Sequence, residues 1–277
     1  MSDSDPVNVG TPLSELAPEV RAARASSFGG AAAHYERFRP GPPTAAVDWL
    51  LPVHVEQVVD LGAGTGALTR LLVDRADEVV AVEPDDRMRA VLTEQVPAAH
   101  AVNGRGESMP LPDSSANAVL ASSSWHWMDP VPTLAEVARV LVDGGTLGAV
   151  WSGPDPEGAF AVQAKALLAQ ESEEDANGVA GVVVGGLSFA TPTLEIPDDL
   201  PFDAPERQIT TWDVALNADE LIGLLGTMSW IITMTEDRRT RVLTEARRLL
   251  SEILGVEGET TIDVGFRADT WRAHLTI

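Results

Sequence analysis

The stretch Val58-Val59-Asp60-Leu61-Gly62-Ala63-Gly64-Thr65-Gly66 decides the fold of this chain. The apolar run from Val55 to Leu61 predicts a short buried strand, and residues 67–72 have the spacing of a helix. The glycines between them permit positive φ and let a ligand approach the backbone closely. The helix that follows presents unpaired N–H groups at its start. Strand, glycine turn and helix together predict a nucleotide-type binding site.

The glycine turn alone leaves two classes of ligand open. Gly62-x-Gly64-x-x-Ala67 also fits the dinucleotide fingerprint, so a nicotinamide-dependent oxidoreductase is an alternative function. Asp60 favours the other class, because a carboxylate at the strand end would repel a pyrophosphate and attract an amino or sulfonium cation. Gly66 is superfluous in a dinucleotide fingerprint. A positively charged cofactor is therefore favoured.

Length and composition limit the classes of protein. The 277 residues suffice for one large domain, or for one domain with an elaboration. There is no cysteine, and the scattered His34, His54, His100 and His274 lack the spacing of metal ligands, so no metal site is predicted. A formal net charge of −23 repels nucleic acid and anionic lipid, so no nucleic acid partner is expected.

The sequence predicts a small-molecule partner and no membrane association. No stretch approaches about 18 uninterrupted apolar residues, so no membrane-spanning helix is expected. The first residues, Met1 to Pro6, are acidic and polar, unlike a signal peptide. We predict a cytoplasmic monomer or homodimer that acts on a small molecule.

Strands and helices alternate in the first half of the chain. The strands predicted after the first one span residues 78–83, 99–102, 117–122 and 146–151. The helices predicted between them span residues 66–75, 85–96 and 133–141. Five alternations imply an α/β protein with a doubly wound, parallel sheet and right-handed crossovers.

Changes of composition divide the chain into four predicted segments. They are a disordered or helical arm at residues 1–27, a cofactor-binding core at 28–152, an inserted helix and flexible lid at 153–206, and strands and helices that complete the sheet at 207–277. Four of the seven tryptophans lie at or after Trp151. Such residues are more often core, and the alternative is an apolar pocket, built from the second half of the chain, for a hydrophobic acceptor.

Glu83 is predicted to bind the hydroxyls of a ribose. It ends the second strand and lies 21 positions after Gly62, which is the spacing typical of a ribose-binding acid. The alternative role is to cap the next helix. Asp85 and Asp86 follow at once and suit that role better.

A polar and aromatic cluster, Ser123-Ser124-Trp125-His126-Trp127, follows the fourth predicted strand. In α/β proteins, ligands bind beyond the carboxyl ends of strands. His126 is a candidate general base for a hydroxyl or a carboxylic acid. The favoured alternative is that it frames the pocket through a structural hydrogen bond, because geometry must first place a base near its proton.

Taken together, these motifs resemble those of class I S-adenosylmethionine-dependent methyltransferases. The resemblance rests on residues 58–66, 82–84, 104–111, 124–129 and 138–147. It covers roughly residues 28–152 well and extends loosely to the C-terminus. The most similar subset is a small-molecule group that includes trans-aconitate methyltransferase-like proteins. The resemblance implies a Rossmann-like, seven-stranded, mostly parallel sheet with an antiparallel last strand.

The resemblance implies S-adenosylmethionine as the cofactor and a role for each motif residue. Its methionine part would be held by Asp60, Gly62, Ala63, Gly64 and Gly66. Its ribose would be held by Glu83, its adenine would be flanked by Gly106 and Glu107, and Pro84 would also contact the cofactor. Its sulfonium and the acceptor would lie near Ser124, Trp125 and His126. Its carboxylate would be covered by Tyr35 and Arg39.

The implied reaction is methyl transfer to a small-molecule acceptor. O-methylation of a carboxylate or hydroxyl is favoured, with nitrogen or carbon as alternative acceptor atoms. Three residues depart from the family pattern: Arg105 replaces a frequent Asp that accepts from the adenine amino group, Pro42 a frequent Tyr, and Ser123 a frequent Gln. A methyltransferase-like binding protein without catalysis is therefore a further alternative.

Overall fold

The computed structural model describes residues 37–51, 53–168, 193–232, 234–255 and 257–276. The strands are β1 Val55–Leu61, β2 Ala76–Val82, β3 His100–Val102, β4 Ala116–Ser122, β5 Leu141–Pro154, β6 Glu206–Leu216 and β7 Ile262–His274. They form one seven-stranded sheet in the order β3-β2-β1-β4-β5-β7-β6. The first five strands pair in parallel, and crossover connections join them.

The helices are α1 Thr44–Leu50, α2 Thr69–Leu72, α3 Asp86–Gln95, α4 Pro130–Val140, α5 Ala159–Leu168, α6 Ala218–Gly226, α7 Ser229–Ile232 and α8 Glu236–Leu254. A 3₁₀ turn, Trp125–Trp127, precedes α4. Within the ranges that the structure describes, no helix is both long and apolar enough to cross a membrane. The helix predicted over residues 66–75 is wrong in length, because Gly66 has φ of 96° and keeps residues 66–68 in a turn.

The antiparallel part of the sheet lies at its C-terminal end. The Gly144 N–H donates to the Leu275 carbonyl at 3.0 Å, and the Leu275 N–H donates to the Gly145 carbonyl at 2.9 Å. Further along, the Asp155 N–H donates to the Gly265 carbonyl at 2.7 Å. Later residues at β5 therefore pair with earlier residues at β7, so the two strands are antiparallel. The predicted doubly wound sheet with an antiparallel C-terminal end is confirmed.

The chain forms two compact units. The first unit consists of the described residues within Pro40–Ser152, Thr191–Thr210 and Ala268–Ile277. The second unit consists of those within Met1–Arg39, Gly153–Ala190 and Thr211–Arg267. These units cut across the linear segments 153–206 and 207–277, whose predicted roles stay predictions.

The core of the second unit is built from the apolar faces of helices. In α8 the residues Val242, Ala246, Leu249 and Leu250 recur at helical spacing and are buried. Ala246, Leu249 and Leu250 pack with residues of α5, α6 and the start of β7, including Phe266, which is 1% exposed, whereas Val242 packs with Ile231 of α7. This burial explains why a helix so rich in charged residues is stable.

A buried ion pair in the first unit gives a testable stability prediction. The Asp269 side chain is fully buried, and Arg207 binds both carboxylate oxygens, with Nε donating to Oδ1 at 2.7 Å. Arg207→Met would remove the guanidinium that compensates this buried charge, which for a fully buried pair costs about 3–5 kcal/mol. The Arg207 side chain is 41% exposed, so water can partly replace it, and we expect a loss of about 2 kcal/mol in the free energy of unfolding.

Urea unfolding measures this loss. The matched control is Arg248→Met, which removes a guanidinium whose partners Glu245 and Glu252 are both partly exposed. It is expected to change the free energy of unfolding by less than about 1 kcal/mol. Equal losses in the two variants would contradict the prediction.

Candidate cofactor-binding and active site

The turn after β1 holds three glycines in the left-handed region, with φ of 69° at Gly62, 59° at Gly64 and 96° at Gly66. A Cβ on Gly62 would lie 2.6 Å from the Cβ of Ser124, so that position is closed by packing. A Cβ on Gly64 would meet, among the described residues, Met88 Sδ alone, at 3.8 Å. The backbone at Gly64 therefore borders open space into which a ligand can fit.

Asp60 ends β1 immediately before this turn and has no solvent exposure. The Thr69 hydroxyl donates to Asp60 Oδ2 at 2.6 Å, whereas Oδ1 has no hydrogen-bond partner among the described residues. Burial raises the pKa of Asp60 to about 7, and the negative charge of Glu83 adds to this, while the Thr69 hydrogen bond opposes it. A cation at Oδ1 would compensate the buried charge.

Glu83 connects the end of β2 to the glycine turn. Its Oε2 accepts from the Gly64 N–H at 2.9 Å and its Oε1 accepts from the Asp85 N–H at 2.8 Å. Burial raises the pKa of Glu83, and the two backbone hydrogen bonds oppose this shift. A carboxylate oxygen can accept more than one hydrogen bond, so Glu83 retains acceptor capacity for hydroxyl groups.

Asp85 is the N-cap of α3. Its Oδ1 accepts from the Arg87 N–H at 2.9 Å and from the Met88 N–H at 3.3 Å. The prediction that the following aspartates, and not Glu83, cap this helix is confirmed for Asp85. Asp86 instead lies in the first helical turn.

Gly106 and Glu107 both hold the loop that follows β4. A Cβ on Gly106 would lie 2.6 Å from Met128 Sδ and 2.9 Å from Thr133 Cγ2, so only glycine fits there. Glu107 Oε1 accepts from the Asp129 N–H at 2.9 Å. These contacts position the loop, and the predicted place of both residues beside adenine stays a prediction.

The end of β4 is tied to the glycine turn by a serine. The Ser124 hydroxyl donates to the Leu61 carbonyl at 2.6 Å, and Ser124 is buried. The preceding Ser123 has φ of 51°, an unfavourable conformation for serine, of a kind that clusters at functional sites. Trp125 follows and is also buried. Ser124 therefore aligns two strand ends, and its hydroxyl hydrogen is already used.

His126 accepts a hydrogen bond from a tryptophan of β5, the strand next to β4. The Trp151 Nε1–H donates to His126 Nδ1 at 2.9 Å, and the Trp127 ring lies 4.8 Å from the imidazole, centroid to centroid. Indole can only donate, so Nδ1 carries a lone pair and the neutral ring carries its proton on Nε2. Sequence reasoning considered Trp151 only as one of four tryptophans for a possible acceptor pocket and not as a partner of His126, although its position near the end of a strand was a usable signal.

Three further residues, Tyr35, Arg39 and Pro84, were predicted to bind the cofactor. Tyr35 lies outside the described residues. Arg39 belongs to the second unit, where its guanidinium lies 4.0 Å from Met228 Sδ. Pro84 is exposed next to Glu83. The roles predicted for them stay predictions.

The remaining site residues converge on the carboxyl ends of three adjacent strands, β2, β1 and β4. The hydrogen bonds of Glu83 and Ser124 to the glycine turn join these ends directly. This edge of a doubly wound sheet is the usual place for a nucleotide-like ligand. The arrangement defines a Rossmann-like α/β protein with a fully buried acid, Asp60, at this edge of the sheet.

Comparisons with known proteins identify the family. Residues 59–149 match the family model described as a methyltransferase domain. The chain is 38% identical over 225 residues to an uncharacterised methyltransferase of Mycobacterium tuberculosis, covering 81% of this chain and 86% of the relative. The chain belongs to the class I S-adenosylmethionine-dependent methyltransferases.

Two further similarities concern a shorter sequence match and a solved structure. A malonyl-[acyl-carrier protein] O-methyltransferase of Pectobacterium atrosepticum is 33% identical over 129 residues, covering 45% of this chain and 51% of that protein. The solved structure of a methyltransferase from Anaeromyxobacter dehalogenans has a TM-score of 0.53 at 24% identity, covering 86% and 98%. The latter shows the fold. The predicted enzyme class is confirmed, and the narrower likeness to trans-aconitate methyltransferases stays a prediction.

Proposed function

We propose that this chain binds S-adenosylmethionine at the carboxyl ends of β1, β2 and β4 and transfers its methyl group to a small-molecule acceptor. The observation that carries the proposal is the buried carboxylate of Asp60, with one unpartnered oxygen directly before the glycine turn. The ammonium and sulfonium groups of this cofactor supply the positive charge that would compensate it. A dinucleotide pyrophosphate would instead bring negative charge towards Asp60 and Glu83.

The residues present fit this cofactor. The open space at Gly64 accommodates a ligand against the backbone, and Glu83 has acceptor capacity for two ribose hydroxyls. We assign the methionine part to Asp60, Gly62, Ala63, Gly64 and Gly66. We assign the ribose to Glu83 and Pro84, and the adenine side to Gly106 and Glu107. The sulfonium side is assigned to Ser124, Trp125 and His126.

When bound, the cofactor supplies a methyl group that its sulfonium already activates. The protein mainly has to orient the acceptor, and orientation of this kind contributes up to about 7–11 kcal/mol. A tryptophan ring that faces the cation, Trp125 or Trp127, adds about 0.5–2 kcal/mol. Oxygen is the favoured acceptor atom, as carboxylate or hydroxyl, and the name of the Pectobacterium relative supports this choice. Nitrogen and carbon are the alternatives.

A thermal-shift panel tests the proposed cofactor. At a concentration 100-fold above the dissociation constant, a ligand stabilises the folded state by about 2.7 kcal/mol. For a chain of this size we therefore expect S-adenosylmethionine and its demethylated product to raise the melting temperature by about 5–10 °C. NAD is expected to cause no shift. A shift with NAD alone would favour the oxidoreductase, and no shift with any ligand would favour a binding protein without catalysis.

A further inference from the structure

We propose that Trp151 is a positioning residue that fixes His126 as a hydrogen-bond donor, so that the site methylates an acceptor that is ionised before it binds. The inference rests on the proposed function, because it concerns the acceptor side of the same site. Its basis is the 2.9 Å hydrogen bond from Trp151 Nε1–H to His126 Nδ1. Trp151 is 1% exposed, so water hardly competes for this hydrogen.

The strand register holds the two partners together. Ser122 at the end of β4 pairs with Val150 on β5, and the Ser123 N–H donates to the Val150 carbonyl at 2.8 Å. Trp151 is the next residue of β5, and His126 lies in the 3₁₀ turn that follows β4. The hydrogen bond therefore spans two strand ends that the sheet itself aligns.

The tautomer of His126 follows from this contact. A neutral imidazole has one N–H and one lone pair. The tautomer with hydrogen on Nδ1 would set two donors against each other, and the buried indole N–H would lose its acceptor. In the other tautomer the lone pair is at Nδ1, where it already accepts the hydrogen bond from Trp151. While the contact with Trp151 persists, neutral His126 therefore has no lone pair to direct at an acceptor proton.

The described acids at the same strand ends are already assigned to the cofactor. Asp60 is assigned to its methionine part, Glu83 to its ribose and Glu107 to its adenine side, where Glu107 also accepts from the Asp129 N–H. A hydroxyl acceptor needs a base to remove its proton. A carboxylate needs none, since its ordinary pKa is about 4. The geometry thus favours an anionic oxygen as the nucleophile.

The reaction step then balances without a base. One oxygen of the acceptor carboxylate forms a bond to the methyl carbon while the carbon–sulfur bond breaks. The electron pair of that bond stays on sulfur, and the products are a methyl ester and a neutral thioether. No proton leaves the acceptor, which is consistent with a histidine that is held as a donor.

Nitrogen NMR of His126 tests the tautomer directly and needs no acceptor. At pH 8 the wild-type ring is expected to carry its hydrogen on Nε2 by at least tenfold over Nδ1. Trp151→Phe keeps an aromatic ring on β5 but removes the donor, and it should bring the two tautomers within about threefold of each other. The control is Trp212→Phe, which changes a half-buried tryptophan whose ring is tilted against that of Phe266 and should leave the tautomer of His126 unchanged. A wild-type ring protonated on Nδ1 would overturn the proposal.

Kinetics test the consequence for catalysis. His126→Asn keeps an acceptor oxygen for the Trp151 N–H but lacks a base, whereas His126→Ala lacks both. With cofactor saturating, we expect the Asn variant to have at least tenfold higher kcat/KM than the Ala variant. A base role predicts equal, severe losses of about 10²–10⁴-fold in both variants. Equal losses would therefore contradict the positioning role of Trp151.

The acceptor class is tested with straight-chain carboxylic acids of four to twelve carbons and the matching alcohols, using radiolabelled S-adenosylmethionine. Transfer to acids is recognised because methyl esters release methanol in alkali, whereas ethers do not. Transfer to alcohols alone would overturn this inference and leave the proposed function intact. A failure to bind S-adenosylmethionine would overturn the proposed function. If no compound in the panel is methylated, the tautomer measurement decides the proposal.

Discussion

Asp60→Asn is expected to raise the free energy of unfolding of the ligand-free protein at pH 8 by about 1–3 kcal/mol. A fully buried carboxylate with a folded-state pKa of about 7, against 3.8 in the unfolded chain, opposes folding by about 3–4 kcal/mol when it is ionised. The amide removes this charge and can keep the hydrogen bond from Thr69. It also places a buried donor without a partner, which costs about 1–3 kcal/mol and leaves the smaller net gain.

The free energies of unfolding of the wild type and Asp60→Asn should differ by an amount that depends on pH, and this dependence identifies the cause of the difference. Between pH 4 and pH 7 the folded wild type binds more protons than the unfolded chain at this position. The stabilisation contributed by protonated Asp60 is therefore present at low pH and is lost as pH rises through about 7. The amide does not titrate, so the variant should gain on the wild type by about 3 kcal/mol between pH 5 and pH 8.

Urea unfolding at four pH values between 5 and 8 measures this difference. Asp199→Asn is the charge control, because Asp199 is exposed and the change alters the net charge by the same amount. Asp199→Asn should change the free energy of unfolding by the same amount at every pH. A difference between wild type and Asp60→Asn that is constant over this range would show that Asp60 does not titrate there.

The same substitution should have the opposite effect on the cofactor. A cation beside the carboxylate favours its ionised form, so binding at pH 6.5 should release a proton and tighten as pH rises through about 7. Calorimetry in two buffers of different ionisation enthalpy measures this release. Asp60→Asn should abolish it and weaken the affinity for S-adenosylmethionine at least tenfold. Asp60 would then destabilise the empty protein in order to bind the cofactor, a common trade-off.

The parts of the fold that the sequence predicted are those that depend on local pattern. β1 is paired with a strand on each side and its residues Val58–Leu61 are buried, so the apolar pattern of these residues was sufficient. The assignment of Asp85 to the helix cap followed from chain order and needed no tertiary information. The helix after the glycine turn was predicted too long, because the left-handed φ of Gly66 cannot be inferred from apolar spacing.

The contacts inside the site could not be predicted in the same way. The hydrogen bonds from Ser124 to Leu61 and from Trp151 to His126 join residues 63 and 25 positions apart. Each depends on which strands are neighbours and on their register, not on the residues beside it in sequence. The sequence identified Ser124 as a site residue. It could not show that the Ser124 hydroxyl donates to the Leu61 carbonyl and so aligns two strand ends.

Gly64→Ala is expected to weaken binding of S-adenosylmethionine at least 100-fold, the largest effect on affinity that we predict. The added methyl group would point into the open space bordered by Met88. The Gly64 N–H also donates to Glu83, so a shift of the backbone would move the proposed ribose ligand as well. The left-handed φ of 59° adds a separate cost to folding, of about 1–2 kcal/mol.

Gly144→Ala separates the binding effect from the folding effect. Gly144 has a similar φ of 71°, and no described atom lies within 4 Å of the position of an added Cβ. Both variants should therefore lose about 1–2 kcal/mol of folding free energy, measured by urea unfolding. Calorimetry at a temperature where both are folded should find the cofactor affinity changed only in Gly64→Ala. Equal affinities in the two variants would mean that the space at Gly64 is not where the cofactor binds, and the assignment of the glycine turn would fail with it.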